Sequence, residues 1–133
     1  MTSEVTYLGD LRTSCKHLKS GDVFVTDAPT DNNGLGKAFS PTDSVATALA
    51  SCMFTIMGIK SKDLGIDLSN CKADVTKVMA SSPRRISEIH IHFKMNIELS
   101  SKDQNILEKA AMTCPVIYSI HPDIKKEIRF NWG

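Results

Sequence analysis

Between Val45 and Ile59 the chain runs through fifteen residues without a single charged side chain. Its punctuation is that of a helix. Ser40 is placed to cap the first turn, and Pro41 sits where a missing N–H leaves no hydrogen bond unmade. Asp43, three residues after the cap, can return a hydrogen bond and complements the positive end of the helix dipole. Charges resume at Lys60, and Gly65 supplies the stop. The spacing predicts one helix roughly 35 Å long. Apolar residues occupy nearly all of its circumference from Val45 to Ile59, so burial is expected on most sides. One small domain can hardly wrap such a rod alone. A homodimer in which each subunit covers the other's helix is therefore expected.

At 133 residues the chain is read as a single domain, 1–133, able to bury a core without cross-links. Hydrophobic residues make up 41% and charged residues 23%, the proportions of an ordinary soluble protein. The net charge of +1 gives no electrostatic footprint for nucleic acid or an anionic membrane. Uninterrupted apolar runs stop short of the roughly 20 residues that a membrane span needs. Met1 to Val5 lack the basic and apolar regions of an export signal. A cytoplasmic location, with the four cysteines reduced, is the expectation. Each cysteine is then a packed residue, a metal ligand or a reactive thiol.

Around the helix the chain reads as strands. Glu4–Leu8, Thr13–Leu18 and Val23–Thr26 suggest two or three antiparallel strands at the start. The segment 27–37, with Pro29, Asn32, Asn33, Gly34 and Gly36, reads as a loop able to line or cover a site. After Gly65, Cys71–Val78 alternates weakly, while Ile86–Ile97 alternates cleanly with apolar residues at 89, 91, 93, 95 and 97. With a break at Ser81-Ser82-Pro83, these form a hairpin with one wet face. Ser100 or Ser101 can cap a second helix carrying Ile106, Leu107, Ala110 and Ala111, ended by Pro115 just after Cys114. Ile124–Phe130 closes the chain as a strand.

No CxxC or HxxxH spacing marks a zinc site, and His90 and His92 fall on the wet face of their strand, where solvated side chains are usual. No serine triad or phosphate-cradling glycine motif is present. Cys15 and Cys71 have no partner motif. Cys52, inside the long helix, and Cys114, before a proline, each have a defined context. Taken singly, each is a small buried hydrophobe. As a pair they can be a nucleophile and its resolving thiol, since the fold decides which sulfurs meet. A reactive Cys52 needs a nearby cation, and the arginines are Arg12, Arg84, Arg85 and Arg129. Asp43, about 13 Å up the helix from Cys52, is too far to touch the sulfur but can orient an arginine that does.

The run Phe39-Ser40-Pro41-Thr42-Asp43 to Ala50-Ser51-Cys52, with Cys114-Pro115-Val116 some sixty residues on, resembles the osmotically inducible protein C and organic hydroperoxide resistance (OsmC/Ohr) family. The resemblance extends over most of the chain. It implies the α+β OsmC/Ohr fold, with antiparallel strands around a long central helix in an intertwined homodimer. It also implies a thiol-dependent peroxidase that reduces organic hydroperoxides with an external dithiol as reductant and no cofactor or metal. Cys52 matches the peroxidatic cysteine, Cys114 the resolving cysteine, and Arg12, in Gly9-Asp10-Leu11-Arg12, the arginine that supports the thiolate. Where the family carries a glutamate just after the helix-start proline, this chain has Thr42 and Asp43, a carboxylate one methylene shorter. The alternative is a non-catalytic or redox-sensing member of the same fold with packed cysteines.

Overall fold

The computed structural model describes all 133 residues, Met1–Gly133, as a mixed α+β protein. The chain divides into two compact units, Met1–Val45 and Ala46–Gly133.

The first unit is a three-stranded antiparallel sheet of β1 (Ser3–Gly9), β2 (Arg12–His17) and β3 (Val23–Asp27), in the order β1-β2-β3. Asp10 and Leu11 join β1 to β2 with φ of 53° and 63°, both left-handed, the twist a two-residue hairpin demands. That turn makes Arg12 the first residue of β2, and the β2–β3 register sets it opposite Asp27. The following loop folds back on itself. The Gly34 N–H donates to the Pro29 carbonyl at 2.9 Å, and the Gly36 N–H to the Ala28 carbonyl at 3.2 Å. A Cβ on Gly34 would lie 1.7 Å from the Ala28 oxygen, so no other residue fits this turn.

Helix α1 (Pro41–Leu64) has the expected start and stop. The Ser40 N–H donates to Asp43 Oδ2 and the Asp43 N–H to Ser40 Oγ, each at 3.0 Å, a reciprocal capping box. At the far end Gly65 has φ of 68°. Its N–H donates to the Lys62 carbonyl at 3.2 Å, and the Ile66 N–H to the Ser61 carbonyl at 2.9 Å. This is the paired bonding of a Schellman stop. Within one chain the helix buries a single stripe, Ala46, Leu49, Ala50, Met53 and Met57, while Val45 and Ile59 are exposed. By length and composition α1 is apolar enough to cross a bilayer. Counting only uninterrupted apolar residues missed this, because threonines and serines break the run without making it hydrophilic.

The second unit places a three-stranded sheet beside that stripe. β4 (Lys72–Ala80) and β5 (Arg85–Lys94) form the expected antiparallel hairpin. β6 (Lys125–Asn131) pairs with β5 in parallel, which the hairpin reading did not foresee. A parallel neighbour requires a long crossover, here made by α2 (Ser101–Ala111) and α3 (Pro115–Ser119). β5 ends at Lys94 rather than Ile97, although Met95 remains buried and its N–H donates to the Asn131 carbonyl at 2.9 Å. Ile89, Ile91 and Phe93 point into the core. Phe93 meets Phe54 edge-on at 4.9 Å and stacks on Phe130 at 4.8 Å. Such pairs add about 0.5–1.5 kcal/mol beyond their buried area.

Candidate active site

Cys52 lies on α1 between core residues Leu49 and Met53, and is half-buried. Cys114 does not close α2, as the sequence suggested. α2 stops at Ala111, and Pro115 starts a new short helix, α3, with Cys114 as its N-cap. The proline stops one helix by being well suited to the first turn of the next. Capping fixes the thiol, whose Sγ accepts the Ile117 N–H at 3.4 Å.

The fold brings these two cysteines near enough that Cys52 influences the proton of Cys114. All four cysteines are free thiols. Burial pushes the Cys114 thiol above its ordinary value, the Ile117 N–H pulls it back down, and the nearby Cys52 raises it again. Cys114 therefore holds its proton more firmly than an ordinary thiol, and the proximity of the two sulfurs suits a later S–S bond. Burial pushes the half-buried Cys71 thiol up as well, and Asp67 adds to that rise.

The remaining predicted residues lie in the first unit. Arg12 Nε is 3.9 Å from Oδ2 of Asp27, whose side chain is completely buried. Asp43 Oδ2 accepts the Ser40 N–H in the capping box described above. Asp27 ends β3, and the proline- and glycine-bearing run that follows makes it read in the sequence as the start of a loop. Its only signal was its place opposite Arg12, visible once the two strands are put in register.

The wet face of the second sheet holds another polar group. His90 Nε2 is 3.1 Å from Glu88 Oε1 and 3.4 Å from Glu127 Oε2, and the three ligand atoms lie within 4.8 Å of one another. Lys125 Nζ bonds Glu127 Oε1 at 2.8 Å and stands 4.0 Å from Glu88, so a lysine already supplies the counter-charge a cation would bring. That contact raises the Lys125 pKa and lowers that of Glu127.

Half-buried Cys52 and buried Cys114 are thus brought near each other on an α+β scaffold. The OsmC-like protein family matches residues 34–129, and the chain belongs to the OsmC/Ohr family. It is 56% identical to a Psychrobacter arcticus protein assigned to the osmotic stress induced and detoxification response, covering 98% of this chain and 96% of that one with a TM-score of 0.96. An OsmC-like protein from Mycoplasma pneumoniae, 14% identical, covers 98% and 94% with a TM-score of 0.80. An organic hydroperoxide resistance protein OsmC from Legionella pneumophila, 15% identical, covers 98% and 97% with a TM-score of 0.72. The latter two show the shared fold. No curated protein matches.

Proposed function

We propose that this protein is a thiol peroxidase for organic hydroperoxides, acting as a homodimer. The observation that carries the reading is the proximity of Cys52 to Cys114, close enough for one thiol to influence the other's proton. The ionised Cys52 sulfur attacks the distal peroxide oxygen, the O–O bond breaks, and the alkoxide leaves as an alcohol after taking a proton. The product on Cys52 is a sulfenic acid. The Cys114 sulfur then attacks the Cys52 sulfur, water departs, and a disulfide forms. An external dithiol reduces that bond by two exchange steps, restoring both thiols and leaving as its own disulfide. Arg12 stabilises the attacking sulfur and the charge developing on the leaving oxygen, with Asp43 supplying a carboxylate at the helix start. The apolar core that contains Cys114, and against which Cys52 packs, favours a carbon-bearing peroxide over hydrogen peroxide.

The test is steady-state consumption of tert-butyl or cumene hydroperoxide with a dithiol present. Turnover that requires both peroxide and dithiol supports the reading. Absence of turnover, with Cys52 slow to react with alkylating reagents at neutral pH, favours the packed-cysteine alternative. A peroxide-formed disulfide without turnover marks a redox sensor.

A further inference from the structure

Asp27 is the only charged residue of this chain with a fully buried side chain. A carboxylate removed from water is costly unless a cation and hydrogen bonds replace the solvent. Part of the replacement is visible. Oδ2 accepts the Lys37 N–H at 3.0 Å, and the same oxygen faces Arg12 Nε at 3.9 Å. The other part is unmade, since Asp27 Oδ1 and Arg12 Nε are both buried without a hydrogen-bond partner. A buried acceptor and a buried donor of opposite charge thus stand beside each other, one short movement from satisfying both.

We infer that Asp27 is the positioning residue for Arg12, holding the guanidinium by its Nε–H and leaving the two terminal nitrogens to the reacting sulfur and peroxide oxygen. This deepens the peroxidase reading and rests on it for the role of the terminal nitrogens. Arginine suits the task because its fork offers donors in fixed directions. The strand register supports the pairing, since Arg12 and Asp27 are direct partners across β2 and β3. The Lys37 N–H adds a second consequence. One carboxylate bonds the end of the glycine-bearing loop and faces the arginine, so on this inference the aim of Arg12 and the seating of that loop share an anchor.

The experiment uses the full reduced chain, labelled with nitrogen-15, and follows hydrogen exchange at the Arg12 Nε–H. The signal is assigned by its disappearance in Arg12→Lys. The expected result is exchange much slower than in free arginine, lost in Asp27→Asn and retained in Asp43→Asn. Free-arginine exchange in the unsubstituted protein overturns the inference, whatever Asp27→Asn does to folding. So does protection lost in Asp43→Asn but kept in Asp27→Asn. The kinetic arm measures the rate at which an alkyl hydroperoxide oxidises Cys52. Asp27→Asn should slow it about 10- to 100-fold, the scale of a misplaced active-site group. An Arg12→Ala, Asp27→Asn double variant should be no slower than Arg12→Ala alone, because coupled residues are not additive. Additive losses overturn the positioning role. If the unsubstituted protein consumes no peroxide, the proposed function falls while the exchange measurement still decides whether Asp27 anchors Arg12.

Discussion

The chemistry of the two sulfurs differs because their surroundings differ. Cys114 is fully buried and capped onto α3, whereas Cys52 keeps some access to solvent on α1. In the proposed reaction, access suits the thiol that meets the peroxide, and burial suits the one that resolves it. Cys52→Ser should abolish peroxide reduction in a coupled assay, because a hydroxyl is hardly ionised at neutral pH; wild-type rates in that variant would remove the catalytic reading. Cys114→Ser should turn over once and stop at a sulfenic acid that a dimedone-type reagent labels, detectable by mass. The raised Cys114 pKa also predicts a pH effect on stability. Its folded value lies above its unfolded value of about 8.5, so its contribution is intact below that pH. It is lost as the unfolded chain, but not the folded one, releases the proton. Denaturant midpoints should therefore fall on raising the pH from 8 to 10, and fall less in Cys114→Ala. Of this site, the sequence carried the identities of the thiols through their motifs. It did not carry Asp27, because the worth of a buried charge depends on a cross-strand partner that no local pattern encodes.

Elements were legible where their ends are local chemistry. The limits of α1 follow from Ser40, Pro41, Asp43 and Gly65, whose side chains and conformations act within one turn of the helix. The parallel placement of β6 was not legible, since Lys125–Asn131 alternates in the same way whether its neighbour runs with it or against it. The break between α2 and α3 was half legible. Pro115 announces a boundary, but a proline ends one helix and begins another with equal ease. Two caps offer a comparison at this scale. Ser100 Oγ accepts the Asp103 N–H at 3.1 Å from an exposed position, while Ser40 Oγ does the same for Asp43 at 3.0 Å from a buried one. Replacing either by alanine should cost about 0.5–2 kcal/mol. Ser40→Ala belongs at the upper end, because the N–H freed at Asp43 is less open to water than the exposed one freed at Asp103. Thermal unfolding of the two variants checks the order, and an equal or inverted pair would mean that burial does not govern the cap. Phe93→Ala, which removes the ring touching both Phe54 and Phe130, should cost about 3–5 kcal/mol.

Taken as a molecule, one copy of this chain leaves much apolar surface uncovered. Val5, Tyr7, Val23 and Phe24 are exposed on the strands of the first unit, and Val45 and Ile59 on α1. Scattered exposed apolar residues are ordinary, but these are concentrated on one sheet and on the helix that carries Cys52. The apolar residues around nearly the whole circumference of α1 from Val45 to Ile59 point the same way. A second copy covers such surfaces at once and by symmetry, whereas a different partner would have to match the sheet and the helix separately. The proposed homodimer should therefore bury more than the ~1,200–2,000 Å² of a standard complex. In sedimentation at micromolar concentration the protein should run at twice its 14.6 kDa chain mass. Its melting temperature should also rise with protein concentration, as linkage to association requires. Phe24→Asp and Ile59→Asp should each shift the population toward monomer and lower the melting temperature, since a charge buried in an apolar interface has no partner. A monomer at micromolar concentration, with a melting temperature independent of concentration, would sink the dimer. The apolar stripe of α1 would then have to be explained by a partner other than a second copy.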